Sequence, residues 1–440
     1  MCSSIFENLY VLYSQSMKVY KFGGASVKNA AAVKNVGDIL MKFGSNELLI
    51  VVSAMGKTTN ALEQLAKAYL NNYPNKGQIY SEIKKFHDDI ISELIQGKQS
   101  HGYDDIENLF IELECELEME PASDPDLVYD QIVSYGEIFS TRIVSTYLNE
   151  IGCKNRWIDA RNFIATDNTY RDAKVDWDLT QKLIHQKLNP IVKKQMVITQ
   201  GFIGKNNDNL TTTLGREGSD YSAAIFANCL NANELTIWKD VAGVMNADPK
   251  LFPDAIKIEH LSYPRAIEMA FYGATIIHPK TIQPLQQKQI PLFVKSFINP
   301  DATGTCVGVE IEKEDDVPAY ILKKDQTLLS IKCKDYSFMS EDRLSNLFAL
   351  FNQYQIKVNL MQNSAISFSV CINQHETRVQ DLMQALALHY DIKVNQHVEL
   401  FTISHAKNDS VPAYVANHKV ILEQKTRNTI QWVITANLTH

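Results

Sequence analysis

No stretch of this 440-residue chain approaches the roughly 18 consecutive apolar residues that a membrane-spanning helix needs. No membrane partner is therefore expected. Cysteine is sparse. Cys2, Cys115, Cys153, Cys229, Cys306, Cys333 and Cys371 are odd in number, scattered, and never spaced as CxxC. That argues against a zinc ribbon or a disulfide framework and fits a reducing compartment, the cytoplasm. Positive charge is not in excess: 43 Lys and Arg face 51 Asp and Glu, a net charge of −8. A general polyanion binder, and with it a nucleic-acid partner, is not expected, although a local anion site remains open. No low-complexity tract or heptad repeat occurs. What is present is ordinary for a folded protein, with 45% hydrophobic and 21% charged residues. At about 150 residues per domain the length predicts two or three domains.

Residues 1–16 contain neither Lys nor Arg and include Glu7 and Asn8, so they lack the basic start of a secretory signal. Met17 then opens MKVYKFGGASV. We read 1–16 as an extension, or the product of a start codon set too early. From Met17 to about residue 300, strand and helix patterns alternate. Lys18–Phe22 and the apolar run Glu47–Ser53 read as strands, as do Gln195–Ile203, Glu234–Lys239 and Pro291–Ser296. Thr58–Asn72, Gly77–Ile95 and the Ala-rich Tyr221–Leu230 read as helices. Strands separated by helices predict an α/β fold, a mainly parallel sheet sandwiched by helices. NPDATGT at Asn299–Thr305 marks a boundary. Beyond it come strand Thr327–Cys333, helix Glu341–Tyr354, strands Ile356–Met361 and Ala365–Cys371, helix Val379–His389 and strand Ile392–Phe401. That is a ferredoxin-like βαββαβ order, and Val411–Ala436 adds two β-rich runs.

Four segments carry possible chemistry. In Lys21-Phe22-Gly23-Gly24-Ala25-Ser26-Val27, two glycines between strand and helix let backbone approach an anion at a helix N-terminus, with Lys21 beside it. The plain alternative is a tight turn. Val51–Asn60 (VVSAMGKTTN) lies at the carboxyl end of the second strand, where open α/β sheets bind ligands. Its hydroxyls suit a small polar substrate, while Thr58 or Thr59 equally suits a helix N-cap. Leu214–Tyr221 (LGREGSDY) opens a helix. Arg216 suits a carboxylate, and Asp220 suits either a site or a first-turn preference. Trp238–Lys250 (WKDVAGVMNADPK) reads as a nucleotide-facing loop or a turn-rich surface loop.

Together and in this order, the four segments resemble the amino-acid kinase superfamily and, within it, the aspartokinases. FYGATIIHPKTIQPL and Ser134-Tyr135-Gly136-Glu137 match two further motifs. The resemblance covers Lys18 to about Thr305 and implies three parts: extension 1–16, a catalytic domain over 17–304, and tandem regulatory ACT units over 305–440, one inserted in the other. It implies phosphoryl transfer from ATP, with Mg²⁺, to the β-carboxylate of L-aspartate, the first step of lysine, threonine and methionine biosynthesis. Lys21 would neutralise the transferring group and Asp220 would orient Lys21. Ser53, Thr59, Glu137, Phe202, Arg216 and Ser219 would hold aspartate, Arg216 at its α-carboxylate and Glu137 at its α-ammonium. Gly23, Gly24, Lys239, Asp240, Lys250 and Thr275 would face the nucleotide. No resident metal site is implied. ACT units imply a homodimer or larger assembly and an amino-acid effector bound around Met339–Leu344 and Val358–Ser364.

Several positions depart from the family pattern. Thr275 stands where a Lys is common, Met245 where a Tyr is frequent, Ala25 for a hydroxyl residue, and Glu217 for Gly or Asn. Lysine-binding relatives often carry Gly and Asp where this chain has Asp342 and Asn359. Two alternatives stay open: a catalytically weakened amino-acid sensor of the same fold, motivated by Thr275, and a kinase for another amino-acid acceptor.

Overall fold

The computed structural model describes residues 17–45, 47–95, 101–274, 277–308, 317–374, 376–406 and 411–436. The extension 1–16 and Thr275 lie outside the described residues. In chain order the strands are Lys18–Phe22 (β1), Leu48–Val52 (β2), Asn155–Trp157 (β3), Met196–Gln200 (β4), Ile203–Lys205 (β5), Thr211–Thr213 (β6) and Glu234–Lys239 (β7). They continue with Val244–Met245 (β8), Lys257–Ile258 (β9), His260–Ser262 (β10), Leu292–Ser296 (β11) and Thr305–Gly308 (β12). The C-terminal strands are Ala319–Cys333 (β13), Val358–Asn363 (β14), Ser367–Asn373 (β15), Tyr390–Ser404 (β16), Val420–Lys425 (β17) and Thr429–Thr435 (β18).

The chain divides into two compact units, the first drawn from residues 1–244, 257–267 and 276–315, the second from 245–256, 268–275 and 316–440. The first unit holds an eight-stranded sheet in the order β10-β12-β11-β7-β1-β2-β4-β3. All its pairs are parallel except β11 with β12, as the alternation of strands and helices predicts. β2 is buried at every residue, which is why it reads as an unbroken apolar run. Beside the sheet stand the helices Thr58–Leu70, Lys76–Leu94, His101–Glu118, Pro125–Val133 and Tyr135–Glu150. Their apolar faces join the β1 and β2 side chains in one core that includes Phe22, Ile50, Phe110 and Phe139.

The second unit is built on a six-stranded antiparallel sheet, β14-β15-β13-β16-β18-β17. β13, helix Glu341–Gln353, β14, β15, helix Glu376–Ala387 and β16 follow the expected βαββαβ order. β13 and β16 are each 15 residues long, and only their lower halves serve that first set. Their other halves pair with each other and, through β16, with β18, which makes a second set of strands in the same sheet.

The boundary between the units is not a single cut. Asn246 accepts from the Tyr320 N–H (2.7 Å) and donates to the Pro318 carbonyl (3.1 Å). Phe252 sits among the rings of Tyr320, Phe401 and Tyr414. These contacts tie 245–256 to the C-terminal sheet although in sequence it belongs with the loops before residue 300.

Candidate active site

The side chains that matter stand at the carboxyl ends of β1, β2, β4 and β7 and at the N-termini of three helices. Parallel strands direct their carboxyl ends to one edge, and the helices that follow open there with unsatisfied N–H groups. At that edge lies a cavity of about 510 Å³, lined among others by Lys21, Ser53, Thr59, Glu137, Phe202 and Arg216. Ser219, Asp220 and Lys239 complete the set of expected residues there. Nine of the fourteen residues singled out from the sequence thus share one cavity.

Asp220 is the electrostatic centre. It lies in the first turn of helix Gly218–Leu230 and is 3% exposed. Lys21 Nζ stands 2.5 Å from its Oδ1 and Lys239 Nζ 3.4 Å from its Oδ2. Burial alone raises its pKa, but the two ammonium groups outweigh burial and hold the carboxyl below its ordinary range. Asp220 is therefore a paired anion and not a helix cap. Glu137 behaves in the opposite way. It is buried in the first turn of helix Tyr135–Glu150, and burial pushes its pKa up to about 8 against the pull of the Ala54 N–H and Lys21. The Ala54 N–H donates to Oε1 at 3.3 Å, while Oε2 is buried without a partner. A buried, unmatched carboxylate oxygen in a cavity is an acceptor held ready for a cationic donor.

The helix carrying Glu137 is fixed by a local network. Gln200 Nε2 and Trp157 Nε1 both donate to Thr141 Oγ1 (2.8 and 3.0 Å), and Thr141 Oγ1 in turn donates to the Glu137 carbonyl (2.8 Å). The first two segments are pressed together: the Ser53 N–H donates to the Phe22 carbonyl and the Gly56 N–H to the Gly24 carbonyl. A Cβ at Gly24 would stand 2.8 Å from the Ala54 carbonyl oxygen, so this glycine is required by backbone approach alone. Gly23 is open on its other side, with Lys21 Nζ 3.4 Å from where a Cβ would be. Thr58 does not cap its helix; its hydroxyl donates to the Met55 carbonyl, and Thr59 borders the cavity. Arg216 is exposed and makes no ion pair or hydrogen bond among the described residues. Glu217 has φ +55, the left-handed region, which explains why Gly or Asn is the easier residue there.

The remaining expected residues are placed elsewhere. Asp240 is exposed just beyond β7, and Lys250 is exposed in the second unit. Lys280, a possible stand-in for the cation missing at Thr275, is paired with Asp172. Two cavity residues, Tyr129 and Arg171, were not anticipated. The Arg171 guanidinium lies 4.0 Å from the Tyr129 ring centroid, and the Tyr129 hydroxyl donates to Glu63 (2.7 Å).

The model of the amino acid kinase family matches residues 16–296, and a cation-paired aspartate at the carboxyl edge of a parallel sheet is a site suited to phosphoryl transfer. Lysine-sensitive aspartokinase 3 of Escherichia coli is 32% identical over 356 residues, 81% of this chain and 78% of that protein. Aspartokinase 1, chloroplastic, of Arabidopsis thaliana is 33% identical over 387 residues, 83% of this chain and 65% of that protein. This chain belongs to the amino acid kinase family and, within it, to the aspartokinases. The crystal structure of E. coli aspartokinase III with aspartate and ADP, described as an R-state, superposes with a TM-score of 0.81 at 27% identity, covering 95% of this chain and 96% of that one. The same enzyme with lysine and aspartate, a T-state, gives 0.79 at 28% identity, covering 96% of each.

Proposed function

We propose that this chain transfers the γ-phosphoryl group of ATP to the β-carboxylate of L-aspartate, giving ADP and 4-phospho-L-aspartate. One observation carries the reading. A single cavity brings the Lys21–Asp220–Lys239 cluster together with Arg216, unpaired among the described residues, and the half-satisfied Glu137. The first group suits a transferring phosphoryl, the second an amino-acid backbone.

Arg216 pairs with the α-carboxylate and Glu137 Oε2 accepts from the α-ammonium, with Ser53, Thr59, Phe202 and Ser219 bordering the bound molecule. The β-carboxylate is then directed at Lys21. A β-oxygen forms a bond to the γ-phosphorus as the bond to the β,γ-bridging oxygen breaks, and ADP leaves with that electron pair. A carboxylate is already ionised near neutral pH, so no general base is required. Lys21 offsets the charge on the equatorial oxygens, Asp220 holds Lys21 in place, and Lys239 steadies the nucleotide side. Gly23 and Gly24 offer backbone to the phosphates, and Asp240, just beyond β7, extends the nucleotide side. Among the described residues no group of three or more His, Cys, Asp or Glu is gathered to hold a metal. In this reading Mg²⁺ would come with the ATP and would help offset the charge of its phosphates.

The second unit supports assembly as a homodimer. Tyr336, Phe338, Phe348, Met361 and Ile366 are exposed on the first ACT-like set and offer apolar side chains for a second copy to cover. An amino-acid effector would bind on the same set. Among the described residues every cysteine is a free thiol, in keeping with the cytoplasm, and no helix is long and apolar enough to cross a membrane. ADP release measured with aspartate, with glutamate and with no acceptor tests the reading. Aspartate alone should support turnover. Comparable turnover with glutamate would favour a different acceptor, and none with either would favour a sensor.

A further inference from the structure

Asp130 has no part in the chemistry above, yet it is completely buried beside the cavity. It sits on helix Pro125–Val133, and every partner of its carboxylate among the described residues is a donor from elsewhere in the chain. The Arg171 N–H donates to both carboxylate oxygens (3.1 Å each). The Thr213 N–H donates to Oδ2 (2.8 Å) and the Thr213 hydroxyl to Oδ1 (2.7 Å). No ordinary packing role needs a fully buried carboxylate, whose desolvation is costly unless its bonds hold something in place.

What it holds flanks the acceptor-binding turn on both sides. Thr213 ends β6 and stands three residues before Arg216; the Ala173 N–H donates to its carbonyl (2.9 Å). Arg171 is kept at φ +66, a left-handed conformation that a residue with a side chain does not hold without support. Its carbonyl oxygen lies 3.2 Å from where a Cβ on Gly215 would stand, so the 171–172 backbone is seated directly on the Gly215–Arg216 turn. The Gly218 N–H closes that turn on the Gly215 carbonyl (3.0 Å).

We propose that Asp130 is a positioning residue for the acceptor: by fixing Thr213 and the Arg171 backbone it sets the Gly215–Arg216 turn and thereby the affinity for the amino-acid substrate. The inference rests on the proposed role of Arg216. Lys21, Asp220 and Lys239 are held by other contacts, so the phosphoryl-transfer step and the nucleotide are not affected.

Steady-state kinetics of Asp130→Asn at pH 8, where the wild-type carboxyl, pushed by burial up to about 6, is ionised, provide the test. The Asn amide would point a donor at donors. KM for aspartate should rise roughly tenfold, the scale of losing a charge-assisted buried bond, with kcat and KM for ATP within about twofold of wild type. A role confined to stability would lower the yield or the melting temperature and leave the KM of the folded enzyme unchanged. Should Asp130→Asn fail to fold, Thr213→Val removes only the hydroxyl and should raise the aspartate KM about threefold. In the double variant the two effects should fall short of additive. Folded variants with wild-type aspartate KM, or with kcat lowered and KM unchanged, would overturn the proposal. Arg216→Ala separates the two levels. If it too leaves the aspartate KM unchanged, the reading of the site itself is wrong; if it raises KM while the Asp130 and Thr213 variants do not, only the positioning role is.

Discussion

At the scale of single residues the cavity holds two carboxyl groups that burial treats alike and neighbours treat differently. Asp220 has two ammonium groups within 3.4 Å and stays ionised; Glu137 has one backbone N–H and favours its proton up to pH about 8. Only ionised Glu137 accepts from the aspartate ammonium. The substrate therefore binds one protonation state, releases a proton below pH 8, and gains affinity as pH rises. kcat/KM for aspartate should climb by up to tenfold per pH unit from about 6 towards 8 and then level off. Calorimetric titration in buffers of different ionisation heat should show the released proton, and a pH-independent affinity would contradict the assignment. Lys21→Ala should lower kcat by about two to three orders of magnitude, the scale of losing one preorganised charge, with little change in aspartate KM. A variant with the wild-type rate would return Lys21 to the status of a turn residue. The residues that share the cavity and were legible in sequence are the ones carried by local motifs: Lys21 beside two glycines, Arg216 and Asp220 within one loop, Glu137 in a four-residue signature. Tyr129, Arg171 and Asp130 were not legible. They come from a helix and a loop about 40 residues apart in sequence and meet only through tertiary hydrogen bonds, which leave no periodicity or spacing to read.

At the scale of elements, the long buried strands are legible in the sequence and short ones such as β3, β6 and β8 are not. Leu48–Val52 is a continuous apolar run, and the middle four residues of Glu234–Lys239 are buried, because both faces of the parallel sheet are covered. Helix His101–Glu118 went unassigned although Ile106, Phe110, Leu113 and Leu117 fall at helical spacing on its buried face; the acidic residues between them obscure the pattern. β13 and β16 were each expected shorter than their 15 residues. Bulges at Lys323/Gln326 and Gln326/Leu328 break the alternation where one set of strands passes into the next. At the start of helix Gly218–Leu230, Glu217 holds a left-handed conformation at a cost that glycine avoids. Glu217→Gly should therefore stabilise the protein by about 1 kcal/mol, read as a higher melting temperature. An unchanged or lower value would mean that the Glu217 carboxylate offsets its backbone strain through Lys239 and Lys21.

At the scale of the whole molecule, the second unit bears on regulation. Asn359 lies in the segment where the family resemblance expects an effector, and both of its Nδ2 donors and one acceptor position of Oδ1 are engaged inside the fold. Its Oδ1 accepts from Lys323 Nζ (2.9 Å), and its Nδ2 donates to Gln326 Oε1 (2.7 Å) and Asn373 Oδ1 (2.8 Å). An incoming ammonium finds a neutral amide there that already receives a resident lysine, so free lysine should inhibit weakly or not at all. Titration of lysine, threonine and methionine at sub-saturating aspartate checks this, and strong inhibition by micromolar lysine would contradict it. The parallel sheet and the ferredoxin-like order were legible from alternation and composition. The assignment of 245–256 to the second unit was not, because it depends on Asn246 meeting Pro318 and Phe252 meeting Tyr320, far along the chain. The central claim is transfer to the β-carboxylate of aspartate, and the product itself is its most direct test. Incubation with ATP, Mg²⁺ and hydroxylamine should convert the acyl phosphate into aspartyl β-hydroxamate, in step with ADP and only with aspartate present. ADP formed with no hydroxamate, or hydroxamate formed equally from glutamate, would contradict the account.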